Sequence, residues 1–171
     1  MAGQADYSRP EAAYNVAGRA RYAFSKQFVN QGVAVDMACA FGVGTRLLAS
    51  ESDAFVIGLD VDGEAVTRAQ EEYHGFASFG IAAATALPLR SDSVDTFVTL
   101  ETLEHINYPR DFVAEVARVL KPSGVTVLST PNRPVNSPFG VRNPYHISEM
   151  SMRETADLLA EHFNKIQTYG Q

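Results

Sequence analysis

A run of small residues followed by an acidic residue is the clearest chemical pattern in the sequence. In residues 36–45, DMACAFGVGT, alanine or glycine stands at every second position from Ala38 to Gly44. Side chains this small let the backbone approach a ligand closely and let the next helix pack tightly against a sheet. Asp60 ends the next apolar run, 18 positions after Gly42. A carboxylate there can accept hydrogen bonds from both hydroxyls of a ribose, so the pattern predicts a nucleoside-binding loop.

A second group of polar residues follows another apolar run, at Glu101, Glu104 and His105. Two carboxylates and an imidazole can bind a divalent cation, and each of them can also act as a general base. His146 stands apart, just after a loop rich in Pro, Asn and Gly that runs from Pro131 to Tyr145. The alternative for these residues is an ordinary structural role, as caps of neighbouring helices or turns or as partners of backbone groups.

Short apolar runs typical of strands alternate along the chain with segments of helical spacing. The predicted strands are 33–36, 55–60, 78–84, 95–100, 125–130 and 165–169, and the predicted helices are 14–28, 45–50, 62–73, 112–120 and a last one that begins with a capping box at Ser151–Glu154. This alternation predicts a parallel sheet with helices on both faces. Such sheets bind ligands at the carboxyl ends of their strands, which is where Asp36, Asp60 and Glu101 would meet.

The size and composition of the chain fit one ordinary globular domain. It has 171 residues, of which 46% are apolar, and that length is enough to bury a core. The net charge of −6 disfavours a nucleic-acid partner. The single cysteine, Cys39, cannot form an internal disulfide, so a reducing cytoplasm is the default location. No apolar run is long enough for a signal peptide or a membrane span, and we expect no membrane partner.

Several motifs, in one order along the chain, resemble those of the class I S-adenosylmethionine-dependent methyltransferases, and most closely their type 11 group. The motifs are VDMACAFGVGT (35–45), VIGLD (56–60), ATALPL (84–89), SVD (93–95), LEH (103–105) and RVLKPSG (118–124). The resemblance extends over about residues 15–171. It implies a Rossmann-like, doubly wound and mostly parallel α/β sheet, S-adenosylmethionine as cofactor, and methyl transfer to a small molecule, sugar or lipid. We expect one methyltransferase domain over 1–171, with an N-terminal helical segment at 1–30.

The resemblance also implies which residues bind the cofactor. The implied contacts are Asp36, Ala38, Ala40, Gly42 and Glu101 for the methionine part, Asp60 for the ribose, and Val61 and the backbone N–H of Ala84 for the adenine. Two of these positions depart from the family, which usually has glycine where this chain has Ala38 and Ala40. If residue 40 has a positive φ, alanine costs about 1–2 kcal/mol there. The acidic residue that commonly receives the adenine amino group is replaced by Ala83, so we expect weaker cofactor binding.

The chemistry of methyl transfer points to His105 and His146 as catalytic candidates. Methyl transfer from a sulfonium is an in-line displacement that depends mainly on alignment, but an oxygen acceptor also needs a base or a metal to remove its proton. Glu101, Glu104 and His105 are similar to the metal-associated motif of quinone-biosynthetic O-methyltransferases. The segment Asn143–His146 resembles one that covers the acceptor site in methyltransferases of glycan and secondary-metabolite pathways, which implies an acceptor-site loop at 131–150.

Two other functions compete with an active methyltransferase. A nicotinamide-dependent oxidoreductase would need the spacing G-x-G-x-x-G, which residues 38–44 lack. A catalytically inactive S-adenosylmethionine-binding domain would explain Ala40, Ala83 and the short C-terminal part of the sheet. The family's sheet usually ends in a hairpin, for which only residues 165–169 remain, so the hairpin is expected to be incomplete. The fifth strand would then have an open edge, which a second copy of the chain could cover.

Overall fold

Five parallel strands form one sheet in the computed structural model, which describes residues 16–136 and 143–170. The strands are β1 (Val33–Met37), β2 (Phe55–Asp60), β3 (Ser78–Ile81), β4 (Val94–Leu100) and β5 (Leu120–Ser129). Their order across the sheet is β3-β2-β1-β4-β5, and every neighbouring pair is parallel. The strand order reverses between β1 and β4, which is the switch point where such sheets bind ligands.

Helices cover both faces of the sheet, as the alternating sequence pattern predicts. They are α1 (Val16–Lys26), α2 (Val43–Ala49), α3 (Gly63–Tyr73), α4 (Pro109–Val119), α5 (Arg133–Asn136) and α6 (Met152–Leu159). Side chains alternate between the faces along each strand, so Phe97 packs with Phe112 of α4 and Leu158 of α6, whereas Val98 packs with Leu48 of α2. The predicted Rossmann-like fold is confirmed.

Local hydrogen bonds explain where two of the helices begin. Asp62 caps α3, because its side chain accepts from the backbone N–H groups of Glu64 and Ala65. Ser151 and Glu154 form the predicted capping box of α6, in which each side chain bonds to the backbone of the other. The predicted elements thus coincide with the observed ones to within a few residues at most boundaries.

The predicted last strand, Lys165–Tyr169, is wrong. These residues run without helix or strand pairing, and the ring of Tyr169 packs against Phe24 of α1 at a centroid distance of 5.0 Å. A strand needs a backbone ladder, and an aromatic contact between side chains does not supply one. Among the described residues β5 pairs with β4 alone, so the covering of its outer edge by a second copy stays a prediction.

Two other boundaries differ from the sequence prediction. Strand β5 begins directly after α4, and its ladder skips from Val94–Leu120 to Thr96–Val125, so the turn residues 121–124 lie inside the strand as an irregularity. Strand β3 ends at Ile81, and residues 83–86 form a turn instead. The predicted helix start at Tyr14 and residues 137–142 of the predicted acceptor-site loop lie outside the described residues.

Within the described ranges, none of the helices combines the length and the apolar character that crossing a bilayer requires.

Candidate active site

Asp36 is a buried carboxylate at the carboxyl end of β1. Its side chain is 0% exposed and accepts hydrogen bonds from the Thr45 hydroxyl at 2.6 Å and from the Tyr22 hydroxyl at 3.3 Å. Burial disfavours the charged form and raises the pKa of Asp36 to about 7, although both hydroxyl bonds lower it. The strand therefore delivers a carboxyl group that titrates near neutral pH to the floor of the site.

The turn after β1 has three residues in the left-handed region. The φ angles are +64° at Ala38, +46° at Ala40 and +78° at Gly42. A Cβ at Gly42 would lie only 2.7 Å from the Phe79 ring and 2.8 Å from the Ala69 methyl, so the position admits glycine alone. The φ of residue 40, which the sequence left open, is positive in the structure, and Ala38 has the same strained conformation.

Asp60, at the end of β2, holds this turn in place. Its carboxylate accepts from the backbone N–H of Ala40 at 2.8 Å and from that of Asp62 at 3.0 Å. A carboxylate has about four acceptor positions, so these two bonds leave room for both hydroxyls of a ribose. The sequence places Asp60 near the small-residue turn correctly, but it does not reveal the bond to Ala40.

Exposed apolar side chains flank Asp60 on the adenine side of the predicted site. Val61 is 72% exposed and Ile81, which pairs with Asp60 across the β2–β3 ladder, is 62% exposed. Ala84 is buried and follows in the turn after β3. Large apolar groups left in water at a strand end are typical of a surface that a ligand covers. Sequence reasoning missed Ile81, whose only signal is its position at the end of a strand.

Glu101 directly follows β4 and faces the first helix. Its φ is +52°, its carboxylate pairs with the Arg21 guanidinium at 3.3 Å, and it accepts from the Ser129 hydroxyl at 2.8 Å. On the same helix, the Tyr22 ring lies so close to Gly44 that a Cβ there would be 2.0 Å from it. Helix α1 therefore covers the turn, and it places one cation and one phenol over the carboxylates below.

A separate cluster joins Glu104, His105 and His146. Glu104 lies in a 3-10 turn at Leu103–His105, is 1% exposed, and accepts from the Thr130 hydroxyl at 3.0 Å. Its backbone carbonyl accepts from the N–H groups of Ile147 at 2.7 Å and Ser148 at 3.0 Å. The two histidine rings meet edge to face at 5.1 Å. Burial raises the pKa of the Glu104 carboxyl, although hydrogen bonds lower it.

The predicted metal set stays a prediction, and the structure brings a different group of candidate ligands together. One ligand atom from each of Glu104, His105 and His146 lies within 4.8 Å of the others, whereas Glu101 is outside this group because Arg21 and Ser129 hold its carboxylate. Spacing in the sequence brought Glu101 into the predicted set and left His146 out. No side chain caps the first turn of α4, but the structural alternative is present in part, because His105 binds the backbone carbonyl of Tyr145.

Comparisons with known proteins agree with this geometry. A family model described as a methyltransferase domain matches residues 35–128, more than half of the chain. The chain belongs to the methyltransferase domain family. A probable S-adenosylmethionine-dependent methyltransferase of Mycolicibacterium smegmatis is 35% identical over 133 residues, which cover 73% of this chain and 49% of that protein. The ubiquinone biosynthesis O-methyltransferase of Burkholderia multivorans is 33% identical over 131 residues, 72% of this chain and 55% of that protein.

A solved structure supports the fold of this methyltransferase domain. The YcgJ protein of Bacillus subtilis has a TM-score of 0.74 and 22% identity, over 84% of this chain and 68% of that one. The chain spans about half the length of the curated relatives it matches. The predicted family, the class I fold and S-adenosylmethionine as the family's cofactor are confirmed, and the nicotinamide alternative is not supported.

The strain at Ala40 yields a stability prediction. Glycine tolerates a positive φ, so Ala40→Gly should raise the free energy of unfolding by about 1 kcal/mol in spite of the freer unfolded chain. Chemical denaturation of the ligand-free domain measures the change. Ala20→Gly on the exposed side of α1 is the matched control, because glycine inside a helix should cost about 1 kcal/mol. A loss of stability in Ala40→Gly equal to that control would contradict the strain.

Asp36 yields a pH prediction. Its pKa rises from 3.8 to about 7 on folding, so the folded state binds the proton more tightly than the unfolded chain. The contribution of Asp36 to the free energy of unfolding is therefore fully present below about pH 4 and is lost as the pH rises through 7. Asp36→Asn does not titrate, so its stability relative to the wild type should increase between pH 5 and pH 8. Thermal unfolding of the ligand-free domain across that range tests this, and Asp53→Asn controls for the loss of an exposed negative charge. A difference independent of pH would refute the buried titration.

Proposed function

We propose that this domain transfers the methyl group of S-adenosylmethionine to an oxygen of a small-molecule, sugar or lipid acceptor. The observation that carries the proposal is the position of the cluster at Glu104, His105 and His146. It follows β4 directly, at the same edge of the sheet as Asp36 and Asp60. The predicted cofactor-binding residues around Asp36 and Asp60 form what we call the cofactor half. The cluster of proton-accepting groups, which we call the acceptor half, lies at the same edge of the sheet.

In the cofactor half, the contacts already observed favour the predicted roles. Asp60 keeps acceptor positions for the ribose, and Val61 with Ile81 offers an apolar surface to the adenine. Arg21 and Glu101 form a charge pair beside the turn, and the methionine end of the cofactor carries a complementary carboxylate and ammonium. Binding would exchange this internal pair for two pairs with the ligand.

Asp60 gives a direct test of the cofactor half. Asp60→Ala removes charge-assisted hydrogen bonds to the ribose and should weaken binding of S-adenosylhomocysteine about 10–100-fold, since such bonds contribute about 1.5–3 kcal/mol. Isothermal titration calorimetry measures the affinity. Asp53→Ala is the control, because Asp53 precedes β2 and so lies at the opposite edge of the sheet. Unchanged affinity in Asp60→Ala would place the nucleoside elsewhere.

In the acceptor half, hydrogen bonds determine which nitrogen of each neutral imidazole carries the hydrogen and which keeps a lone pair. The Nδ1 of His105 is 2.8 Å from the Tyr145 carbonyl, and the Nδ1 of His146 contacts the Glu149 carboxylate. Because both partners can only accept, each Nδ1 carries the hydrogen and each Nε2 keeps its lone pair. An acceptor hydroxyl beside these nitrogens could be bound and relieved of its proton as the methyl group arrives.

An oxygen acceptor has further support from a relative. The Burkholderia multivorans protein is named as an O-methyltransferase. Amines that are already neutral need no base before they attack a sulfonium, whereas alcohols and phenols do. A buried carboxylate beside two imidazoles is therefore more useful to an oxygen acceptor. The cytoplasm as the location of this reaction stays a prediction.

A methyl-transfer assay tests the proposal with labelled S-adenosylmethionine and a panel of phenols, sugars, hydroxylated lipids and amines. His105→Ala and His146→Ala should each lower the transfer rate to the best hydroxyl acceptor about 10²–10⁴-fold. Their affinity for S-adenosylhomocysteine should stay unchanged, because neither residue belongs to the cofactor half. His74→Ala, at the exposed end of α3, is the control. Transfer confined to amines would refute the oxygen acceptor.

The second candidate function is an inactive domain that only binds the cofactor. The strained Ala38 and Ala40, which replace the family's glycines, favour it. Tight binding of S-adenosylhomocysteine without transfer to any acceptor in the panel, or in fractionated cell extract, would select this function over catalysis.

A further inference from the structure

The cluster at Glu104, His105 and His146 has the composition of a transition-metal site. It offers one carboxylate oxygen and two imidazole nitrogens, with the three ligand atoms within 4.8 Å of one another. Two atoms bound to one ion at about 2.1 Å are at most about 4.2 Å apart. Side-chain movements of less than about 1 Å would therefore bring all three ligand atoms onto one ion. Their donor types, one oxygen and two nitrogens, fit a transition-metal ion.

The surroundings of the two histidines strengthen this interpretation. A histidine that ligates a metal almost always donates its other ring N–H to a carboxylate or a backbone carbonyl. Both histidines do so here, since His105 donates to the Tyr145 carbonyl at 2.8 Å and His146 to the Glu149 carboxylate. The His146 side chain is 13% exposed and that of Glu149 only 5%, so this pair is built into the protein.

The Nε2 atom of His105 is the ring nitrogen that lies near the Glu104 carboxylate. His105 Nε2 lies 3.9 Å from Glu104 Oε1, and Thr130 occupies the other oxygen of Glu104. His146 Nε2 is 3.0 Å from the Asn143 amide nitrogen, which donates to the lone pair that a cation would take. A cation at His146 Nε2 would therefore displace the Asn143 amide and replace one hydrogen bond there.

We propose that Glu104, His105 and His146 together bind one divalent transition-metal ion, with Tyr145 and Glu149 orienting the two imidazoles. Glu101 is outside this set, although spacing in the sequence groups it with Glu104 and His105. Imidazole donors favour Zn²⁺, Fe²⁺, Co²⁺ or Ni²⁺ over Mg²⁺, which prefers oxygen ligands. An ion held by three protein ligands would keep open positions and would lower the pKa of a coordinated hydroxyl. With the ion bound, the imidazoles would act as ligands rather than as bases, and the hydroxyl proton would leave to solvent.

This inference deepens the proposed function, but its test needs neither cofactor nor acceptor. Co²⁺ is titrated into the apo-protein, and binding is followed by calorimetry and by the visible absorption of the ion. We expect one Co²⁺ per chain, with at least tenfold weaker binding in His105→Ala and in His146→Ala. Glu149→Gln keeps the three ligands and should weaken binding about 10–100-fold. Glu101→Gln and His74→Ala should bind as the wild type does, and equimolar Mg²⁺ should not compete.

Two results would overturn the site. One is a wild type that takes up no more Co²⁺ than the double variant His105→Ala/His146→Ala. The other is a loss of affinity in Glu101→Gln as large as that in His105→Ala, which would show that Glu101 is a ligand. Because His105 is half-exposed, its replacement tests the site even if changes at the buried Glu104 impair folding. Co²⁺ binding without methyl transfer would refute the proposed function but not the metal site. Methyl transfer by a protein that binds no Co²⁺ would refute the metal site but not the proposed function.

Discussion

The bond between the Asp60 carboxylate and the Ala40 backbone N–H connects the two strand ends on which the cofactor half depends. It spans 2.8 Å and joins the turn after β1 to the end of β2. The same turn is held by the N–H groups of Ala38 and Cys39, which both donate to the Leu59 carbonyl. Two alanines can occupy the left-handed region because these bonds offset the cost of their conformation. Without these hydrogen bonds, the strained conformation of the turn after β1 would not be stabilised.

The proposed acceptor half is held by a different set of contacts, and residues at the end of β5 bind groups in both halves. Ser129 donates its hydroxyl to Glu101, and the next residue, Thr130, donates to Glu104. The two glutamates are three residues apart in the sequence, but these hydroxyls direct one toward α1 and the other toward the histidines. Ser148 then ties the following segment to the 3-10 turn by donating to the Leu103 carbonyl at 2.8 Å. The pairing of β4 with β5 therefore determines the different directions of the Glu101 and Glu104 side chains.

Sequence reasoning succeeded where a contact is local or periodic. Most of the strands, the helices and the cap at Asp62 follow from residue types at short spacing. It failed where a contact joins distant segments. The partnership of His105 with the segment at His146 spans about 40 residues, and no spacing rule encodes it. The predicted strand at 165–169 failed for a related reason, because a strand exists only if a partner ladder lies within reach.

Electrostatics links the stability of the ligand-free domain to the chemistry of its cofactor. The negative charge of Asp60 adds to the burial that raises the pKa of Asp36, so near neutral pH the floor of the site holds a carboxyl group that is only partly ionised. S-adenosylmethionine carries a sulfonium and an ammonium, and positive charge near a buried carboxylate favours its ionised form. A ligand that favours ionisation of Asp36 must also bind more tightly when that proton is already gone. Under the proposed binding mode, the stability that the ligand-free domain loses above pH 7 and the affinity that the cofactor gains there thus have the same physical origin.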